Sequence, residues 1–531
     1  MSAGDGPASS TQDRASEWRP RHNPWLIAFS VMLATFMEVL DTSVANVALP
    51  HIAGSLSATP EEATWVLTSY LVSNAIILPT AAWLGTVFGR KRFLLTCIVF
   101  FTLASAGCGA APSLGLLVFA RVLQGLGGGA LQPIAQAVLL ESFPPARRGV
   151  AMAMYGIGVV VAPILGPTLG GWVTENYSWR WIFYINLPVG VLAVLMAQAF
   201  IEDPPYIRRR TGWSRIDYIG FGLMAIGLAT LQVMLDRGQE DDWFGAVWVR
   251  WFAAIAAVSL IAFIIRELRT RDPIVDVRIL RNRNFAVGTL LITVLGLVLY
   301  SMVAMLPLFL QILMGYSALL SGLAITPRGL GALLANIVVG RVIAFVDGRV
   351  LIGIGFALVA WSGFMFSQMN LQIAMSNVVW ANFLNGVGTA LVFVSLATTT
   401  MGTLRNEQMG NAAGIFNLMR NVGGSVGIAG MATFLDRWAQ SHQAILVSHL
   451  TPYDPVYQQW LNTAQGGLRT QVGGIAAGPK SLGILYNVLG QQAHLLAFMD
   501  NFRVVSYLSL LAVPAVLLFK KAKARGAPAA H

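Results

Sequence analysis

Of 531 residues, 56% are hydrophobic and only 11% are charged, where soluble domains carry about 25% charged residues. That balance excludes a soluble globular enzyme. A net charge of +11, from 35 Lys+Arg against 24 Asp+Glu, raises the question of nucleic-acid binding, which only the placement of the charges decides.

Residues 1–24 are small and polar, with Arg14, Arg19 and Arg21 ahead of the first apolar run and no cleavage-site pattern after it. They read as an uncleaved, disordered cytoplasmic tail. Apolar runs then follow at 25–49, 63–84, 93–112, 115–140, 150–173, 182–201, 217–235, 247–265, 285–313, 320–344, 350–369, 377–400, 411–435 and 495–519. Most reach the roughly 20 residues that span a bilayer as a helix. Fourteen spans put both termini on one side. Assigning that side to the cytoplasm gives its loops and tails 24 of the Lys and Arg, the opposite side 5, and the spans the remaining 6. The positive-inside rule therefore sets the orientation. Clusters such as Arg90-Lys91-Arg92 and Arg208-Arg209-Arg210 read as anchors near anionic lipid, and no nucleic-acid partner is expected.

Two segments between spans are long: the Arg-rich stretch from Arg266 to Asn284 and the outer stretch from Asp436 to His494, which is rich in Gln and Gly. The second is expected to hold amphipathic helix and to serve as an interaction surface, with disorder the alternative.

A carboxylate in the hydrocarbon costs at least about 2.5 kcal/mol, so it is a functional residue by default. The first span carries Glu38 and Asp41, three apart and so on one helix face, with Thr42 and Ala45 continuing the stripe. Two carboxylates that close in a low dielectric do not both ionise cheaply, and one is expected to bind and release a proton in working conditions. The fourth span has Arg121, Gln124, Gln132 and Gln136 at helical spacing. A guanidinium keeps its proton, so Arg121 needs an interior partner; Glu38 or Asp41 is the expected one. Asn417, Arg420, Asn421 and Gly424 make a comparable stripe in the span at 411–435. Amphipathic groups in otherwise apolar spans, Asn46, Tyr70, Asn74, Tyr300, Gln311, Asn385 and Asn417, are candidate substrate contacts together with Gln124, Gln132 and Arg420. In the fifth span Gly158, Pro163, Gly166, Pro167, Gly170 and Gly171 combine small residues with two missing backbone donors. Close helix approach and bending there suit a gate. No phosphate-cradling loop ends in Lys-Ser or Lys-Thr, and neither the six histidines nor Cys97 and Cys108 fall at metal-ligand spacing. Catalysis, ATP-driven pumping and a metal centre are not expected.

With these motifs placed, the chain resembles the major facilitator superfamily, and within it the fourteen-helix drug:proton antiporter family and its EmrB branch. The resemblance runs from about residue 25 to 519. Its most specific element is Leu40-Asp41-Thr42-Ser43-Val44-Ala45-Asn46-Val47-Ala48-Leu49-Pro50, similar to the first-helix signature with Ser43 where Thr is usual. Arg121-Val-Leu-Gln124-Gly125-Leu-Gly127-Gly128 is similar to the fourth-helix motif, and Gly158 to Gly171 to the antiporter signature of the fifth. Leu235-Asp236-Arg237-Gly238 with Asp242-Trp243-Phe244, Asp272-Pro273-Ile274-Val275-Asp276 and Arg420-Asn421-Val422-Gly423-Gly424-Ser425 resemble the EmrB branch in particular. Two departures stand out. The loop Ala82 to Lys91 has Thr86 and Val87 where Asp and Arg are common, which removes the usual charge-relay lock, and Glu38 stands where an uncharged residue is usual. It is a second proton site or a cation-binding carboxylate.

The resemblance implies an all-α membrane protein: an N-terminal six-helix half at 25–201, linkers with two inserted helices at 202–284, a C-terminal six-helix half at 285–519 that includes the periplasmic segment 436–494, and a cytoplasmic tail at 520–531. Rocking of the halves about a central site gives alternating access. It further implies a proton-driven exporter without cofactor, in a bacterial inner membrane, for lipophilic toxic compounds, with a periplasmic membrane-fusion adaptor and an outer-membrane channel as partners. Asp41, Glu38 and Arg121 would couple to protons. The alternative is a dedicated exporter of one metabolite such as a fatty acid or siderophore.

Overall fold

The computed structural model describes residues 20–144, 147–204, 217–270, 272–343, 345–451, 453–472 and 474–520. Most of the two expected tails, and the cluster Arg208-Arg209-Arg210, lie outside them.

All regular structure among the described residues is helical. The bundle-forming helices are α1 Pro24–Ser55, α2 Trp65–Phe88, α3 Arg90–Ala110, α4 Leu114–Ser142, α5 Arg148–Asn176, α6 Trp181–Phe200, α7 Tyr218–Arg237, α8 Val247–Arg269, α9 Arg283–Leu313, α10 Leu320–Val342, α11 Gly348–Phe366 and α12 Met375–Met401. They are followed by α13 Met409–His449, α14 Pro455–Val472 and α15 Gly474–Ala515. Short polar side chains start several of them. Asn23, Ser113, Asp217, Asn282 and Asp347 accept backbone N–H bonds in the first turn of α1, α4, α7, α9 and α11, replacing acceptors that the helix itself does not supply there. Prolines and glycines set the irregularities. A 3₁₀ turn over Leu78–Thr80, at Pro79, breaks α2. In α9 a π turn over Phe309–Leu313 follows Pro307. In α4 the break falls at Gly129, between Leu114–Gly128 and Leu131–Ser142.

Thirteen helices among the described residues are long and apolar enough to cross a bilayer. The one remaining expected crossing, at 411–435, lies inside α13, where Asn411, Asn417, Arg420 and Asn421 make the helix too polar to qualify on apolarity alone. Its packing against α4, α9 and α15 nevertheless seats it in the bundle. The stretch from Asp436 to His494 is helix over most of its length rather than disordered chain. With 41 and 42 residues, α13 and α15 are each about 60 Å long at 1.5 Å per residue, twice the roughly 30 Å hydrocarbon core. They run out beyond the bundle with α14 packed on α15 between them.

Packing divides the bundle into two groups. In one, α1 packs on α5 and α6, and α4 on α2 and α3; in the other, α12 packs on α10 and α11, and α13 on α9 and α15. Crossings between the groups run α5 to α10 and α12, and α4 to α13. We call the face where α1 begins the near face and the opposite one the far face. The near face, the expected cytoplasmic side, is tied together by polar contacts. Gly89, at φ 85°, turns the chain between α2 and α3, and Arg90 then pairs with Glu141 at the end of α4. The Lys91 amide donates to Asp203 at 2.8 Å. Arg148 donates to Asn406 across the two groups at 2.9 Å, and the Asp276 backbone and the Asn411 side chain bond reciprocally at 3.1 and 3.0 Å. The loop whose usual Asp and Arg are replaced by Thr86 and Val87 is thus still held by charge, through Arg90 and Glu141. Nearby, the Arg266 guanidinium donates to Asp217 at 2.8 Å and holds its carboxyl below the usual range.

Where α9 crosses α13, glycines bring backbone against backbone. A Cβ on Gly423 would stand 2.2 Å from the Thr293 carbonyl, and one on Gly296 2.1 Å from that of Arg420. Backbone cannot retreat as a side-chain tip can, so overpacking here costs about 1–3 kcal/mol or more. Gly423→Val should lower the midpoint of thermal unfolding in detergent, whereas Gly430→Val, with open space around it, should not. Equal melting of the two variants would contradict the close crossing.

Candidate proton-coupling and substrate site

The site begins with the glycines of α4. A Cβ on Gly125 would meet the Tyr70 carbonyl at 2.5 Å, and one on Gly129 the Asn74 carbonyl at the same distance. Only glycine lets α4 lie this close to α2. That approach carries Arg121, Gln124 and Gln132 to the polar face of α1, where they form two networks.

The first centres on Asp41. Arg121 Nη1 donates to its Oδ2 at 2.6 Å, while Gln124 Nε2 and Asn186 Nδ2 donate to Oδ1 at 2.9 and 2.7 Å. Arg121 also donates from Nε to the Val66 carbonyl at 2.9 Å and from Nη1 to Gln124 Oε1 at 2.8 Å. Its guanidinium lies 4.5 Å from the Tyr70 ring centroid and 5.5 Å from that of Phe183. Asn186 is steadied in turn by Ser105 Oγ at 3.0 Å. Arg121 is 0% exposed and Asp41 2%. Of the two partners open to Arg121 on sequence grounds, the structure selects Asp41.

Glu38, one turn nearer the near face, has its own network. Gln132 Nε2 donates to Oε2 at 2.6 Å, and Asn74 Nδ2 and Tyr70 Oη donate to Oε1 at 3.2 and 3.3 Å. The other end of the Gln132 amide accepts from Arg420 on α13, and Asn417 Nδ2 donates to Gln136 Oε1 at 2.8 Å. The Gln132 amide therefore lies between a carboxylate of one group of helices and a guanidinium of the other. Its donor faces the negative charge and its acceptor the positive one. Tyr70 touches both networks.

The remaining candidates are dispersed. Asn46 is exposed and donates to the Thr42 carbonyl of its own helix at 3.0 Å. Tyr300 packs its ring against Gly424. Gln311 is exposed and reaches Ser321 at 3.4 Å. Asn385 is buried on α12 with neither amide atom hydrogen-bonded. In α5, Gly158, Gly166 and Gly170 face α1, where added Cβ atoms would meet Met32, Ser43 and Val44, and the Pro163 carbonyl accepts from Ser43 at 3.3 Å. Gly171 has ordinary contact with Val47 only. α5 runs as one helix through Pro163 and Pro167, and its glycines form a tight seam against α1. Sequence reading missed Asn186, Ser105, Glu141 and the buried, unbonded Asn336. Asn186 and Asn336 meet the same rule that selected Asn385, an amide in an apolar run, and were legible by it.

Two features define the arrangement: a charge pair enclosed in apolar helices, and an amide bridge across two helical groups. A family model described as the Major Facilitator Superfamily matches residues 31–428. The chain belongs to that superfamily and is a multi-pass membrane transporter. It is 37% identical to the fatty acid resistance protein FarB of Neisseria gonorrhoeae over 93% of this chain and 96% of that one. To the multidrug export protein EmrB of Escherichia coli it is 36% identical, over 84% of this chain and 87% of that one. Identity to the colistin resistance protein EmrB of Acinetobacter baumannii is 28%, over 92% and 95% of the two chains. The fold is shared with the crystal structure of the human organic anion transporter TETRAN, at a TM-score of 0.58 and 13% identity, covering 92% of this chain and 100% of that one.

Removing one partner of a buried pair leaves an uncompensated charge, at a cost of about 3–5 kcal/mol, whereas replacing both with apolar groups is often neutral. Arg121→Met should therefore destabilise the protein strongly in thermal melts, and the double variant Asp41→Leu, Arg121→Met should recover much of the loss. A double variant no more stable than Arg121→Met would show that the pair is not the unit.

Proposed function

We propose that the protein is a proton-coupled antiporter that exports hydrophobic or amphipathic toxic compounds across the inner membrane of a bacterium. The observation that carries this reading is the Asp41–Arg121 pair, fully enclosed in the bundle. A proton arriving at Asp41 cancels the charge that holds Arg121, and an enclosed guanidinium without a counter-charge is unstable. Proton binding thus favours a different packing of α1 against α4, the linkage an antiporter needs. Glu38 adds a second proton-binding carboxylate, tied through Gln132 to Arg420, so its neutralisation weakens the bridge between helical groups. At about 100 mV, each net charge moved across the membrane adds roughly 2.3 kcal/mol to the drive. Drug leaves as protons enter.

The lipophilic substrate would contact Tyr70, Asn74, Gln124, Gln132, Asn385, Asn417 and Arg420 in the interior, and Asn46, Tyr300 and Gln311 nearer its edges. Gly158 to Gly171 would serve as the sliding seam on which α1 and α5 shift. Similarity to EmrB, a multidrug export protein by name, supports breadth of substrate. Similarity to FarB, a fatty acid resistance protein by name, favours a second reading in which the exported compound is a single amphipathic class such as fatty acids. The helices that continue past the bundle between Asp436 and His494 would meet a periplasmic membrane-fusion adaptor leading to an outer-membrane channel.

The test is efflux from proteoliposomes under an imposed pH gradient, with a lipophilic cation and a fatty acid as alternative cargoes. Wild type should export cargo as protons run down their gradient. Asp41→Asn should lower the rate by roughly tenfold or more, the factor that about 1.4 kcal/mol represents, and Glu38→Gln should change the number of protons exchanged per cargo. Full gradient-driven export by Asp41→Asn would overturn the mechanism. Export that follows a sodium gradient with protons clamped would replace proton coupling with sodium coupling.

A further inference from the structure

The two helices inserted between the halves carry a half-buried carboxylate that the mechanism above leaves unused. α7 ends in Leu235-Asp236-Arg237-Gly238, and its last turns grip both groups of helices at the far face. Towards α2, Arg237 Nη2 donates to Thr64 Oγ1 at 2.5 Å, its guanidinium lies 5.0 Å from the Trp65 ring centroid, and Asp236 faces Thr68. Towards α13, Gln232 Nε2 donates to Ser425 Oγ at 2.9 Å and to Asp236 Oδ1 at 3.1 Å. Beyond the helix end, Trp243 Nε1 donates to Thr433 at 2.8 Å and Gln239 Nε2 to Asp436 at 2.6 Å.

This grip has a specific position. The near half of α2, Leu78–Phe88, packs directly on α13, while its far half, Trp65–Ile77, packs on α7, which itself packs on α13. The inserted helix stands as a wedge between the far ends of α2 and α13. When a two-half carrier shuts its far side, this is a seam that must close.

We propose that Asp236 is a third proton-binding site, and that its proton lets the far-face seam close around α7. Asp236 forms no ion pair among the described residues, and its Oδ2 is buried without a hydrogen bond. The charged groups around it are Arg237 and Glu240, which pair with one another at 2.9 Å. α2 presents Thr64, Trp65 and Thr68, α8 begins near an exposed Arg250, and α13 presents Ser425 and, farther out, Asp436 and Arg437. Among the described residues no cation is bonded to the carboxylate; Gln232 donates to Oδ1, and the residue, half-buried at the seam, otherwise depends on water reaching it for its charge. Closing the seam removes that water and favours the neutral acid. A proton taken from the far side therefore closes the far side behind it, the direction that proton-driven export requires.

The inference rests on the antiporter reading, and the test separates the two. Spin labels on Ser55→Cys and Gln440→Cys, both exposed at the far face, report the distance between the groups by double electron–electron resonance in lipid nanodiscs. Cys97 and Cys108 are buried and stay unlabelled. With Asp41→Asn and Glu38→Gln removing the central carboxylates, acidification should still shift the population from long to short distances. Adding Asp236→Asn should hold the short population at every pH, and Asp236→Glu should restore the pH response. A background that no longer responds to pH, or a response that persists in Asp236→Asn, overturns the proposal. The background measurement decides even if Asp236→Asn fails to assemble. If efflux depends on Asp41 while the seam ignores Asp236, the antiporter stands and the wedge falls.

Discussion

An arginine that cannot lose its proton sits where there is no water to solvate it. Everything around Arg121 follows from that constraint. The cost of its burial fixes the partner, Asp41, and the donors that complete Asp41, Gln124 and Asn186. These in turn need α1, α3, α4 and α6 in contact, and the glycines of α4 permit its part of that contact by letting α4 lie on the backbone of α2. A packing requirement and an electrostatic one thus point to the same residues. The same pair that holds the first group of helices together is the one that, in the proposed mechanism, a proton on Asp41 would release.

Glu38 shows how a second carboxylate in one helix acquires a different task. It lies one turn from Asp41, yet no guanidinium touches it directly. Gln132 intervenes, donating to Glu38 and accepting from Arg420 on α13. The amide is aligned between opposite charges, so its interaction with each is stronger than with a neutral group. Asp41 organises one group of helices; Glu38 spans two. The inserted pair α7 and α8 extends this logic outwards, because α7 touches α2 on one side and α13 on the other. Polar and ionisable groups are thereby distributed along the interface between helical groups, from the Arg148–Asn406 contact at the near face, through Glu38 in the middle, to Asp236 at the far end of α7.

The near face illustrates substitution of one lock by another. With Thr86 and Val87 in place of the usual charged residues, the loop after α2 relies on Arg90, placed by the Gly89 turn beside Glu141. The two partners stand 51 residues apart in the chain, and in sequence nothing joins them except that each marks a helix end on the same side of the membrane. The pairing exists because α3 and α4 run antiparallel and bring those ends together.

Composition, apolar run length and charge asymmetry determined the class of protein and fourteen expected spans, because each of these is a property of single helices meeting lipid and water; the motifs of the first, fourth and fifth spans carried the family resemblance. The stripe rule also found Asp41, Glu38, Arg121, Gln124 and Gln132, since a polar group inside an apolar run is costly wherever the helix sits. The run at 411–435, also read as a span, is the one in which polar residues that face other helices lower the hydrophobicity of α13, so its place in the bundle rests on packing. Only the tertiary structure decided that Arg121 takes Asp41 rather than Glu38, that Gln132 links the two groups, that Gly158, Gly166 and Gly170 form a seam with α1, and that Asp236 stands in a wedge between α2 and α13. Those choices depend on helix rotation and depth. Rotation and depth are set by how side chains from distant segments fill one another's space, and no local pattern in the chain records that.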